Sequence, residues 1–338
     1  MHFSHFGGSR FEIDIYHNSK ENPIERVGQG TVIPPTEVIG QALGINWHNN
    51  PIDATFKSGF MYEGWGQKQE KIFHNFPMNT MAMHYVPQKL SETVLQSDRF
   101  RVTEKRINNP ELEIDADIIF DCRGRHNRDL DNYEPLINPL NSVLLCNVAK
   151  PDLSLHYTRC IATPNGWTFI IPTKAGLSYG YLYNNTITTR EDAEQDFLER
   201  FDIPEVDGEL VFENYMAKNI FVGERTVLNG NKLFFLEPME ATAMDLYQSV
   251  CRYMWDYLVG SRNKSSVNTE VIRVAKEMQN FVLWHYQTGS KYDSHFWDYT
   301  RTLSYNYDER FKTIVNQGKD MLYGAWNYRS FDIWMKGI

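Results

Sequence analysis

The stretch that most constrains this chain is Phe234-Phe235-Leu236-Glu237-Pro238-Met239-Glu240-Ala241-Thr242-Ala243. An apolar strand ends in two carboxylates around a proline and passes at once into a helix. The first N–H groups of a helix lack intrahelical partners, and the aligned peptide dipoles add about half a positive charge there. Such a junction either caps its own helix with a carboxylate or sets a general base beside an anion site. The spacing leaves both readings open.

The hydrophobic period differs on the two sides of this junction. Before it, strand patterns alternate with short helices. Phe11 to Tyr16 and Thr55 to Tyr62 read as strands, Asn18 to Pro23 as a turn, and Pro34-Pro35 opens a helix that Gly44 closes. Gln88 to Gln96 is helical, and Ala116 to Phe120 is an apolar strand running into the turn Asp121-Cys122-Arg123-Gly124. Ser142 to Val148, Leu153 to Ala162, Trp167 to Ile171 and Gly176 to Tyr183 carry β-type content, and Thr189 with Asp192 starts a helix in a variant of the capping box. After it, Tyr247, Val250, Cys251, Met254 and Leu258 recur at helical steps, and a second long helix is expected over Thr269 to Gln287. The chain therefore reads as α/β: a body over 1–245 and a helical region over 246–338 packed on it.

Composition excludes several classes. A net charge of -9 argues against nucleic-acid binding, which needs Lys and Arg in excess. No apolar run is long enough for a membrane span, and the first residues, MHFSHFGGSR, lack a signal-peptide core. The four cysteines are scattered without a CxxC, which argues against a zinc site or a disulfide framework and favours a reducing, cytoplasmic setting. No metal site is expected. His285 and His295 read as packed or substrate-lining side chains.

Three further segments can carry chemistry. Gly28-Gln29-Gly30-Thr31 is a turn that allows close backbone approach to a ligand, or only a turn. Lys57 lies in an apolar, aromatic strand, as a solvent-facing residue of the alternation or as a desolvated amine. Trp167, Phe169 and Ile171 alternate along Gly166 to Pro172 as an aromatic wall or as strand core.

Taken in order, these segments resemble the flavin-dependent tryptophan halogenase family. Val27-Gly28-Gln29-Gly30-Thr31 resembles its Val-Gly-Glu-(Ser/Ala/Gly)-Thr turn, with Gln29 where Glu is usual. Thr55-Phe56-Lys57 with Glu63-Gly64-Trp65 resembles the strand of the family's lysine, and Ala116 to Gly124 its ADLxIDCSG strand and turn. Gly166 to Pro172 resembles the WxWxIP region with Phe169 for the second Trp, and Phe235 to Thr242 resembles FxEPLEST. Phe281 to Tyr286 and Asp293 to Trp297 resemble FIxxHY and DSPFW. The similarity runs from about residue 11 to about 334. The family's opening GxGxxG loop has no counterpart. The expectation is a start further upstream, or a compact member with altered FAD affinity. The segment from Trp65 to Ala116 is also shortened.

The resemblance implies an FAD/NAD(P)-binding, Rossmann-like flavoprotein monooxygenase fold with a mixed sheet and a helical C-terminal region. It implies FAD as cofactor, reduced by a separate flavin reductase, with halide and oxygen giving hypohalous acid that halogenates a small, electron-rich, indole-like aromatic. Lys57 matches the lysine that holds the hypohalous acid, and Glu240 the carboxylate beside it. Gly28, Gly30, Thr31, Asp121, Gly124 and Pro238 match cofactor-binding positions. The backbone N–H groups of Thr242 and Ala243 match the halide site, with Ala243 for glycine and Ala241 for serine. Trp167, Phe169, Pro172, Phe296 and Trp297 match the substrate and tunnel side. A homodimer is a further expectation. Two alternatives stand beside this reading: an FAD-dependent monooxygenase that does not halogenate, and a non-catalytic remnant unable to bind FAD.

Overall fold

The computed structural model describes residues 1–19, 27–125 and 128–337, so most of the turn expected over Asn18 to Pro23 lies outside the described residues. The first part of the chain carries α1 (His2–Gly7), β1 (Asp14–His17), β2 (Gln29–Gly30), α2 (Ile33–Leu43), β3 (Thr55–Lys57), β4 (Gly59–Glu63), β5 (Lys71–Asn75), β6 (Ala82–Tyr85), α3 (Pro87–Leu95), β7 (Arg101–Glu104), α4 (Pro110–Glu113) and β8 (Ile119–Asp121). The middle carries β9 (Tyr133–Pro135), β10 (Ser142–Val148), β11 (Thr158–Thr163), β12 (Gly166–Thr173), β13 (Gly176–Tyr183), α5 (Arg190–Phe201), β14 (Gly208–Val211), β15 (Tyr215–Ala217), β16 (Thr226–Leu228) and β17 (Phe234–Phe235). Helices follow: α6 (Thr242–Leu258), α7 (Lys264–Gln287), α8 (His295–Thr302), α9 (Glu309–Gln317) and α10 (Tyr328–Gly337).

A seven-stranded sheet in the order β14-β10-β13-β12-β11-β4-β5 forms the centre. It is mixed, because β11 runs parallel to β4 while its other neighbours are antiparallel. A three-stranded sheet, β2-β6-β3, lies beside it. Two parallel pairs, β1 with β7 and β8 with β16, complete the α/β character. The strand expected over Thr55 to Tyr62 is two strands in two sheets. At the break, Ser58 N–H bonds the His156 carbonyl at 2.7 Å and Ser58 carbonyl accepts from Phe76 N–H at 2.8 Å. Gly59 is required next, since a Cβ there would stand 2.3 Å from the His74 carbonyl oxygen.

Helix ends follow local chemistry. Pro34 and Pro35 occupy the first turn of α2, and Gly44 ends it in the left-handed region with φ 64°. Thr189 caps α5, its hydroxyl oxygen accepting from Asp192 N–H at 3.2 Å. Asn263 caps α7 through Ser266 N–H at 2.8 Å, which places the start of that helix five residues before the expected Thr269. The boundary expected at 245/246 falls inside α6.

One apolar core runs from Val27 on the sheet side to Trp334 on α10. Trp65 is its hub. The side chain is fully buried, donates from Nε1 to the Cys160 carbonyl at 3.0 Å, and meets Tyr286 (5.6 Å), Trp297 (5.3 Å) and Trp334 (5.9 Å) edge-on. These contacts tie β4 to α7, α8 and α10. Trp65→Ala is expected to destabilise the fold by about 3–5 kcal/mol, read as a lowered urea midpoint with unchanged slope.

Candidate functional site

The strand break builds the site. On β3, Lys57 turns inward and is fully buried. Its Nζ donates to the Thr31 carbonyl at 2.9 Å, its one hydrogen-bond acceptor among the described residues. The Nζ lies 3.7 Å from the Phe60 ring centre and 5.7 Å from that of Phe76. Gly30 on β2 faces it, and a Cβ at Gly30 would come within 3.1 Å of the Nζ. Burial pushes the amine down to about 7, and the nearby carboxylate of Glu240 offsets only part of that. The amine therefore holds a neutral fraction near neutral pH.

Glu240 lies between β17 and α6. It and Ala241 both adopt left-handed backbone, with φ 63° and 53°. That conformation costs side-chain-bearing residues about 1–3 kcal/mol each and persists only where the surroundings enforce it. The enforcement is visible. Tyr62 OH donates a short hydrogen bond to Oε1, and Trp326 Nε1 donates to Oε2 at 3.0 Å. His74 Nδ1 and His285 Nε2 each face Oε1 at 3.4 Å. His74 also meets the Ser330 hydroxyl at 3.0 Å, and His285 Nδ1 is committed to the Phe281 carbonyl at 2.7 Å. Burial alone would raise the carboxyl; the imidazoles of His74 and His285 outweigh it and hold Glu240 well below the usual carboxylate range. Lys57 and Glu240 feel each other's charge without forming an ion pair within 4.0 Å.

A cavity of about 410 Å³ opens beside Glu240. Phe76 and Trp326 give it aromatic walls, Pro34 comes from the first turn of α2, and Arg252, Arg273 and Arg310 add cationic groups. Its size falls in the range that takes a small aromatic ligand. Asp245, on the first turn of α6, also lines it, and burial pushes that carboxyl up to about 6. Among the described residues no side chain caps α6, and the buried Thr242 hydroxyl has no hydrogen-bond partner. This junction can accept a polar or anionic group. A second region lies at the ends of the parallel strands β8 and β16, where Asp121 pairs with Arg123 at 2.8 Å and Gly230 passes beside Cys122. Ligands in such sheets bind beyond the carboxyl ends of parallel strands.

The remaining sequence-derived positions are distributed as follows. Gly28 is buried, with its N–H bonded to Ser178 Oγ at 2.7 Å, and Thr31 bonds Thr36 and the Met83 carbonyl. Gly124 has φ 78° and open space around it. Pro238 precedes the turn that holds Glu240. Trp167, Phe169, Phe296 and Trp297 pack in the core, and with Pro172 they do not border the cavity at Glu240. Ala243 follows Thr242 in the first turn of α6. Sequence reasoning did not find Tyr62, His74 or Trp326, and it gave His285 only a packing or lining role. Their shared signal is three-dimensional: they come from four separate segments.

Glu237 is a second buried carboxylate. It accepts from Tyr286 OH at 2.8 Å and Met239 N–H at 3.0 Å. Burial pushes it up to about 7, although Trp167 Nε1 and Asn138 Nδ2 lie toward it without completing hydrogen bonds.

A family profile described as "Tryptophan halogenase" matches residues 83–336. Tryptophan 6-halogenase ThaL of Streptomyces albogriseolus is 23% identical over 253 residues, covering 70% of this chain and 47% of that protein. Tryptophan 7-halogenase RebH of Lentzea aerocolonigenes is 25% identical over 209 residues, covering 56% and 39%. The chain thus spans about half the length of the curated relatives it matches, or less. Among solved structures, the tryptophan 6-halogenase SttH of Streptomyces toxytricini aligns with TM-score 0.81 at 16% identity, covering 99% of this chain and 86% of that one. Xcc4156, a flavin-dependent halogenase from Xanthomonas campestris, aligns with TM-score 0.80 at 17% identity, covering 99% and 85%. At these identities the structural likeness establishes the fold.

The elevated carboxyl of Glu237 gives a signed prediction. Its folded value of about 7 exceeds the ordinary 4.5, so the fold favours the protonated form and loses stability as pH rises from 4.5 through 7. Glu237→Gln removes that loss. The melting-temperature difference, variant minus wild type, is expected to rise between pH 5 and pH 8, by up to roughly 3 kcal/mol in stability.

Proposed function

The chain belongs to the tryptophan halogenase family, and from that premise we propose that it halogenates an electron-rich, indole-like aromatic with hypohalous acid made from halide, oxygen and reduced FAD. The observation that carries this reading is the buried pair of Lys57, an amine lowered to about 7, and Glu240, a carboxylate held ionised, with an aromatic-walled cavity beside the acid. FAD, when bound, supplies the two-electron chemistry that turns halide into hypohalous acid. The residues at the α6 junction fit the halide and the ring end of the flavin. The Thr242 hydroxyl has no hydrogen-bond partner among the described residues, and it lies with Ala243 in the first turn of α6, which no described side chain caps. Gly28, Gly30, Thr31, Pro238, Asp121 and Gly124 supply the surrounding backbone.

Lys57 does the holding. Its cationic form donates to the oxygen of hypohalous acid, and burial keeps bulk water from carrying the acid away. The aromatic carbon attacks the halogen, the halogen–oxygen bond breaks, and the oxygen leaves as water after taking a proton from Lys57. The ring proton passes to Glu240, which restores aromaticity, and must return to the amine before the next turnover. Phe76 and Trp326 position the ring. The same reading takes a separate flavin reductase as partner and a cytoplasmic setting, supported by the free cysteines among the described residues. Among those residues, no helix is long and apolar enough to cross a membrane.

A second reading stands beside this one: a non-catalytic remnant of the same fold that does not bind FAD. Titration of FAD by fluorescence decides between them, and micromolar or tighter binding removes the remnant reading. Incubation with FAD, a reductase, bromide and an indole is then expected to add bromine to the product mass. Lys57→Met is expected to lower that yield at least ~10²-fold. Because the folded amine titrates below its ordinary value, the burden of burying its charge is greatest below pH 7. The same variant is therefore expected to melt no lower than wild type there.

A further inference from the structure

We propose that Tyr62 is a positioning residue whose hydroxyl fixes the Glu240 carboxylate as the proton acceptor of this site, an inference that rests on the role proposed for Glu240. Tyr62 is fully buried on β4, and its hydroxyl donates to Glu240 Oε1. The ring cannot swing away. It lies edge-on to Trp65 at 6.1 Å and to Trp334 at 4.9 Å, and tilted against His285 at 5.5 Å. Burial first, and then the charge of Glu240, push the phenol well above its ordinary value, so it keeps its proton and remains a donor. A phenol that never ionises here gives the carboxylate a constant partner on a rigid strand.

Other groups also face Glu240. His74 approaches from β5 and His285 from α7, each at 3.4 Å, while Lys57 on β3 acts at longer range and the neighbouring Glu237 acts on the phenol. Trp326 donates to the other oxygen and carries no charge. The two imidazoles reach Oε1 at longer distance than the phenol, and each is held at its second nitrogen by another acceptor or hydroxyl. Tyr62 differs in having the carboxylate as its sole described hydrogen-bond partner. The phenol is therefore the contact to Oε1 that can be removed while both imidazoles and their second partners stay in place.

Tyr62→Phe tests this, because it keeps the ring and its packing and removes only the donor. The readout is the carboxylic-acid infrared band that is absent from Glu240→Gln, followed against pH. Loss of a hydrogen bond to a charged acceptor is expected to move the appearance of that band upward by about one to two pH units. Site-specific 3-fluorotyrosine at position 62, a stronger donor, is expected to move it downward and keeps the test open should Tyr62→Phe fold poorly. In turnover, the acid limb of the pH profile should follow the same order. A band position unchanged in both substitutions overturns the proposal. This titration needs no turnover, so its failure is distinct from a lack of halogenated product, which would instead remove the functional reading.

Discussion

The arrangement depends on one buried carboxylate. Taking Glu240 out of water costs several kcal/mol unless donors replace the solvent. Here Tyr62, His74, His285 and Trp326 replace it, from β4, β5, α7 and the segment before α10. The central sheet and the C-terminal helices therefore close on a charge as well as on apolar surface. The left-handed backbone at Glu240 and Ala241 is sustained by the same contacts. Removing any one donor exposes the rest of the assembly to an unpaid desolvation.

Lys57 and Glu237 are pushed in the direction that removes their usual charge, and Glu240 is not. The amine of Lys57 is lowered and the carboxyl of Glu237 is raised, both by burial with sparse polar company. Glu240 is equally buried yet lowered, because imidazoles surround it. Burial sets the magnitude and company sets the sign. An amine able to be neutral beside an acid that stays charged is the division of labour that a proton-coupled transfer to an aromatic ring requires.

Much of this was legible in order along the chain. The apolar strand entering a helix at Glu237 to Ala243 announced a junction with carboxylates, and the α/β body followed by helices matched the observed sequence of elements. Helix starts at Pro34-Pro35 and Thr189 were readable because a proline or a hydroxyl acts locally. The early start of α7 was missed: Asn263 caps it well ahead of the apolar periodicity that suggested Thr269. The partners of Glu240 were illegible for a different reason. Residues 62, 74, 285 and 326 meet only after the sheet and the helices have packed, and no local pattern records that meeting. The aromatic alternation at Trp167 and Phe169 admitted both wall and core, and both rings are buried in the core cluster.

The interruption at Ser58 has a consequence of phase. In an unbroken strand, side chains five positions apart point to opposite faces. Lys57 and Tyr62 are five apart, yet both point inward, because the chain changes sheets between them and resets its parity. The interior thus receives amine and phenol from an odd interval that regular pleating forbids. A lengthening of this segment by one residue would turn one of the two outward while leaving every other feature of the sequence intact.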